Sequence, residues 1–117
     1  MTTPITRAAT DKAELFRYYW RLVAIGYLPP RNEYNFDKDI GRKHRFDFAW
    51  PESMVAVEIN GNAWNTKGGG RHGKDSDLEK MNIAVSLGWR VFQFSPAMIK
   101  SDPQRWIDMV KSAIDNA

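Results

Sequence analysis

Asp47 and Glu58 are the residues of this 117-residue chain whose types and spacing most readily do chemistry. Each lies in a short segment of alternating apolar residues, Arg45–Trp50 and Val55–Asn60, that reads as a β-strand. Phe46, Phe48 and Trp50 share one face of the first, and Val55, Val57 and Ile59 one face of the second. A hairpin pairs like faces, because a slip of one residue sends every apolar side chain to the wrong side. Pairing Trp50 with Val55 leaves Pro51–Met54 as the loop and sets Phe48 opposite Val57 and Phe46 opposite Ile59. On the other face Ala49 then opposes Ala56, Asp47 opposes Glu58 and Arg45 opposes Asn60. Directly opposed residues have Cβ atoms about 4.5–5.5 Å apart, so two carboxylates stand side by side and call for a cation. A divalent ion such as Mg²⁺ suits, since hard cations take oxygen ligands, typically one or two carboxylates plus substrate phosphate. Neutralisation by Arg45 or by a lysine satisfies the same electrostatics. The two alanines leave room beside the pair.

The elements that must position this pair follow from periodicity and punctuation. A first helix is expected over about Asp11–Ile25, with Leu15, Tyr18, Tyr19 and Leu22 at helical spacing and Gly26, Pro29 and Pro30 as the stop. Asn32–Phe36 reads as a short strand and Asp37–Lys43 as a turn. Gly61–Asp75, with Gly68-Gly69-Gly70, reads as a loop. Ser76 and Glu79 form a capping box that opens a second helix with Leu78, Met81 and Val85 on its apolar face and Gly88 at its end. Trp89–Ser95 is a strand. A last helix begins near Ser101-Asp102-Pro103 and buries Trp106, Met109, Val110 and Ala113. The order α-β-β-β-α-β-α implies one α/β domain with a mixed sheet flanked by helices.

Composition bounds the function class. No cysteine is present, which removes disulfide scaffolds, thiolate zinc sites and cysteine nucleophiles. No apolar run approaches a membrane span, and Met1–Thr10 has no apolar signal core, so a cytoplasmic protein is expected. No glycine fingerprint for an organic cofactor occurs. The net charge of +3 is uneven. Arg42, Lys43 and Arg45 form one basic cluster and Lys67, Arg71 and Lys74 a second, both flanking the Asp47–Glu58 hairpin; they read as a solvated surface or as a nucleic-acid footprint. Trp64, among them, is suited to stacking on a base or wedging into a duplex, or to lying as a lid over the core.

Taken in order, Arg45-Phe46-Asp47-Phe48, Val57-Glu58-Ile59-Asn60-Gly61 and Gly88-Trp89-Arg90-Val91 resemble the PD-(D/E)xK nuclease superfamily. The likeness is nearest to small phage-type endonucleases and relatives of the very-short-patch repair endonuclease, and covers roughly residues 33–96. It implies a restriction-endonuclease-like core, metal-dependent hydrolysis of DNA, and a phage or prophage origin in a bacterial cytoplasm. It implies that Asp47, Glu58 and the Ile59 carbonyl hold Mg²⁺ or Mn²⁺. The superfamily's lysine belongs two residues after Glu58, where this chain has Asn60. Lys80 on the second helix is the first candidate replacement and His72, as a general base, the second; Lys67 or Arg71 closing over the substrate is a third. Asn60 itself can ligate a metal or orient water. Glu33 and Glu14 are further acidic candidates near the cluster.

The expected partner is DNA, recognised by shape as in branched or mismatched duplexes, or by a homodimer bringing a second site. Two other classes stay open on the sequence: a non-catalytic DNA-binding module, to which Asn60 in place of lysine points, and an interaction subunit of a larger assembly.

Overall fold

The structure is a computed structural model that describes residues 8–60 and 70–117, with side chains from 12 to 60 and from 75 to 117. Its elements are α1 (Ala8–Val23), β1 (Arg31–Asn35), β2 (Arg45–Trp50), β3 (Val55–Ile59), α2 (Gly70–Ser86), β4 (Arg90–Phe94), α3 (Pro96–Ser101) and α4 (Pro103–Asp115). The four strands form one mixed sheet in the order β1-β2-β3-β4, antiparallel except for the parallel pair β3–β4. Because β4 runs parallel to β3, the chain between them must cross over the sheet, and α2 makes that crossover. The chain is thus α/β, with α1, α3 and α4 on one face of the sheet and α2 on the other. No helix among the described residues is long and apolar enough to cross a membrane.

The hairpin register is the one expected, with Trp50 opposite Val55, Ala49 opposite Ala56 and Phe48 opposite Val57. The core divides in two across the sheet. Phe16, Trp20, Phe48, Trp50, Val55, Val57, Ile59, Ile99, Ile107 and Val110 fill the larger half. Phe36, Phe46, Ala49, Ala56, Ala84 and Trp89 fill the smaller. Phe46 is therefore not on the face of Phe48 and Trp50, nor opposite Ile59. The alternation of β2 breaks at Asp47, beside Glu33, whose φ of 51° interrupts the pleat of β1 at the same level.

Several helix faces differ from the expected ones. Along α1 and the residue after it the buried line is Phe16, Trp20 and Ala24, while Tyr18 and Leu22 are exposed. The larger rings win the sheet: Phe16 packs on Phe48 with centroids 4.7 Å apart, and the Trp20 and Trp50 indoles both donate to the Leu28 carbonyl. In α2, Leu78 and Val85 are exposed, and Ala84, with Ile83 and Leu87, meets the sheet. A small residue at the contact lets the helix approach Ala49, Ala56 and Trp89. That helix also starts at Gly70, so residues 70–75 are helical rather than loop and Ser76 opens nothing. Gly88, in the left-handed region at φ 93°, ends it and lets the Trp89 N–H return to the Ala84 carbonyl at 3.0 Å.

The expected last helix is α4, which begins at Pro103, and a short helix that was not expected, α3, precedes it. Ser95 caps α3 through the Met98 N–H, Asp102 caps α4 through the Arg105 N–H, and each has proline in its first turn. Ile107, Val110 and Ala113 are its buried line; Met109 is exposed and Trp106 half-buried.

Candidate active site

The site lies where β2 and β3 part. Below the Phe48–Val57 pair, side-chain carboxylates take over the backbone donors of the opposite strand. Asp47 Oδ2 accepts from the Ile59 N–H at 2.7 Å, and Glu58 Oε2 accepts from the Asp47 N–H at 2.8 Å. Each acid thus holds the other's strand, which fixes both carboxylates without the ordinary ladder and satisfies backbone groups that burial would otherwise leave unpaired. Asp47 and Glu58 are thus neighbours, but they meet through each other's strand backbone rather than carboxylate to carboxylate on one face as expected.

A cation does face the pair, and it comes from α2. Lys80 Nζ is 2.7 Å from Glu58 Oε1, with both side chains largely buried, and lies 5.8 Å from the centre of the Phe46 ring. Turning Ala84 toward the sheet also turns Lys80, one helical turn earlier, toward Glu58. Lys80 thus reaches the acids from outside the expected Leu78–Met81–Val85 face. Burial pushes the Glu58 carboxyl above its ordinary value, the neighbouring Asp47 adds to the rise, and the bond and charge of Lys80 oppose it.

Asp47 opens on the other side of the sheet into a cavity of about 180 Å³ lined by Lys12, Arg17, Asn32, Glu33, Asp47 and Ile59, among others. Lys12 was not singled out by the sequence, yet its Nζ donates to the Ile59 carbonyl at 3.2 Å. Glu14 is engaged in an ion pair with Arg17. Asn60 does not face the acids: its side-chain amide donates to Gln93 Oε1 at 2.7 Å and its N–H to the Phe94 carbonyl. Among the described residues no three Asp, Glu or His side chains gather into a metal-holding group. Glu33 shares the cavity with Asp47 without completing such a cluster.

Glu33 is also strained. An L-residue held in the left-handed region costs about 1–2 kcal/mol. Glu33→Gly is expected to raise stability by about 1 kcal/mol, seen as a higher melting temperature. A lower one would show that the carboxylate makes a contact worth more than the strain.

The first basic cluster has a defined mount. Buried Asp37 accepts from the His44 N–H at 3.0 Å, meets His44 Nδ1 at 2.6 Å and accepts from Asn35, closing the turn that carries Arg42 and Lys43. Arg42 then bridges to Glu79 of α2 at 2.6 Å, a solvent-screened pair that sets the cluster beside the helix bearing Lys80. Glu79 thus pairs with Arg42 instead of capping; that contact holds its carboxyl below and the Arg42 guanidinium above their usual values. Lys43 and Arg45 are exposed. Arg71, His72 and Lys74 fall in the first turns of α2, their side chains outside the described residues, as are Trp64 and Lys67 altogether.

Two carboxylates on neighbouring strands and a main-chain carbonyl that already attracts an ammonium group are oxygen donors of the type a hard divalent cation takes. Comparison with protein-family models, curated proteins and solved structures gives no match.

Proposed function

We propose that the protein is a divalent-metal-dependent endonuclease that hydrolyses DNA phosphodiesters, with a restriction-endonuclease-like core. The observation that carries this reading is Lys80 on Glu58. The position two residues after Glu58 is Asn60, yet an ammonium group reaches the same carboxylate from α2. A carboxylate pair with a buried lysine is a combination that can serve metal-assisted phosphodiester hydrolysis. Asp47, Glu58 and the Ile59 carbonyl would hold Mg²⁺ or Mn²⁺, which when bound polarises phosphate and lowers the pKa of water. In this reading Lys80 would meet negative charge developing on the phosphate. Arg42, Lys43 and Arg45 supply backbone contacts beside it, with Trp64, Lys67, Arg71 and Lys74 completing the footprint. His72 is the alternative base. Recognition of DNA by shape, or through a homodimer, is part of this reading. Phage origin and a bacterial cytoplasmic setting belong to the same reading.

The test offers linear duplex, single strand, mismatched duplex and four-way junction to the protein with Mg²⁺, Mn²⁺ or EDTA. Cutting of at least one substrate with metal and none in EDTA is expected. DNA binding without cutting under either metal would favour the non-catalytic module instead.

A further inference from the structure

Among the described residues, Lys12 is the one cationic side chain on a main-chain oxygen of the candidate site. It stands at the open end of the line Lys12, Phe16, Trp20 and Ala24, spaced four residues apart, so the packing that buries Phe16 and Trp20 aims Lys12 at the end of β3. There its Nζ lies 3.2 Å from the Ile59 carbonyl and lines the cavity that Asp47 also lines. Resting on the metal-site reading above, we propose that Lys12 is a placeholder cation. It occupies the Ile59 carbonyl until a divalent ion displaces it, and then turns into the adjoining cavity to bind the substrate phosphate.

Three observations support the exchange. A carbonyl oxygen that attracts an ammonium group is placed for a harder cation as well. A long, partly exposed lysine moves at small cost, because its charge stays close to water while its stem keeps its packing. The cavity also holds Arg17, which is paired with Glu14, so that of the described residues lining it Lys12 is the cation not engaged by a carboxylate.

The consequence is a pair of opposite effects that no purely structural role produces. Removing the ammonium group removes a competitor and a like charge from the metal site, while taking a cation from the substrate. Mn²⁺ binding is measured by calorimetry without DNA, and single-turnover cleavage at saturating Mn²⁺, for wild type, Lys12→Met and Lys12→Arg. Lys12→Met is expected to bind Mn²⁺ about tenfold more tightly, from charges interacting in a partly hydrated site. It is expected to cleave about 10–100-fold more slowly. Lys12→Arg, which keeps the charge and a donor, is expected to stay near wild type in affinity. Unchanged or weaker Mn²⁺ binding by Lys12→Met overturns the placeholder, and tighter binding with an unchanged cleavage rate overturns the phosphate step. Absence of Mn²⁺ binding by all three proteins overturns the metal-site reading and this inference with it. Melting curves of the variants establish that each is folded.

Discussion

Lys80→Met is expected to lower both stability and cleavage, and to be the substitution of the site that costs most stability. Lys80 and Glu58 lie 2.7 Å apart with only 16% and 10% of their side chains exposed. Removing one partner of a buried pair leaves the other charged in a low-dielectric place, which costs about 3–5 kcal/mol. Glu58 limits that cost by taking up a proton, for its carboxyl is already raised by burial and loses the group that lowered it.

The sign of the pH dependence follows. A carboxyl whose folded pKa exceeds its unfolded value binds more protons in the folded state, so its contribution to stability falls as pH rises through that interval. The difference in melting temperature between wild type and Lys80→Met should therefore be widest near neutral pH and shrink as pH falls toward the ordinary glutamate value of 4.5. A constant difference across pH would mean that Lys80 acts by packing alone. For cleavage, loss of a cation aimed at developing negative charge is expected to cost about 10²–10³-fold. Lys80→Arg should recover part of it.

Asp47→Asn separates chemistry from architecture. Asparagine keeps an oxygen to accept the Ile59 N–H that Asp47 now binds at 2.7 Å, so the β2–β3 fork should survive with little change in melting temperature. The negative charge is lost, and with it a ligand of the proposed metal. Losing several kcal/mol of transition-state stabilisation corresponds to a fall of about 10³-fold or more in rate. In the proposed reading DNA binding rests on the basic residues, so it should be nearly unaffected. A variant that cleaves within tenfold of wild type would remove Asp47 from the metal.

How much of this was legible in the chain differs by level. The β2–β3 register could be read directly, because Phe48, Trp50, Val55 and Val57 admit one in-phase pairing, and it carried Asp47 to Glu58. The pattern stopped short where the site begins. Phe46 changes face because the pleat breaks at Asp47 and Glu33, and nothing in local alternation announces a left-handed glutamate. The α2 faces were ambiguous for another reason: Leu78, Met81, Ile83, Ala84, Val85 and Leu87 spread apolar groups around the helix, so side-chain size did not identify the buried side. Close packing on Ala49 and Ala56 selects Ala84, which turns Lys80 inward. Lys12 did leave a signal, as the head of the Phe16–Trp20–Ala24 line, but that line emerges only when the largest rings, rather than Tyr18 and Leu22, are assigned to the core. The capping box at Ser76 shows the limit of short motifs, since a helix already begun at Gly70 runs through it.

The central claim is that the Asp47–Glu58 pair is a metal centre that cuts DNA, and reversible metal dependence tests it most directly. Cleavage of the best substrate of the four is followed with Mg²⁺ present, after EDTA, and after Mg²⁺ is restored in excess, for wild type and Asp47→Asn side by side. The account predicts cutting that stops with EDTA and resumes with Mg²⁺ in wild type, and essentially none at any stage in Asp47→Asn. Cutting that persists in EDTA, or that Asp47→Asn retains, would contradict it.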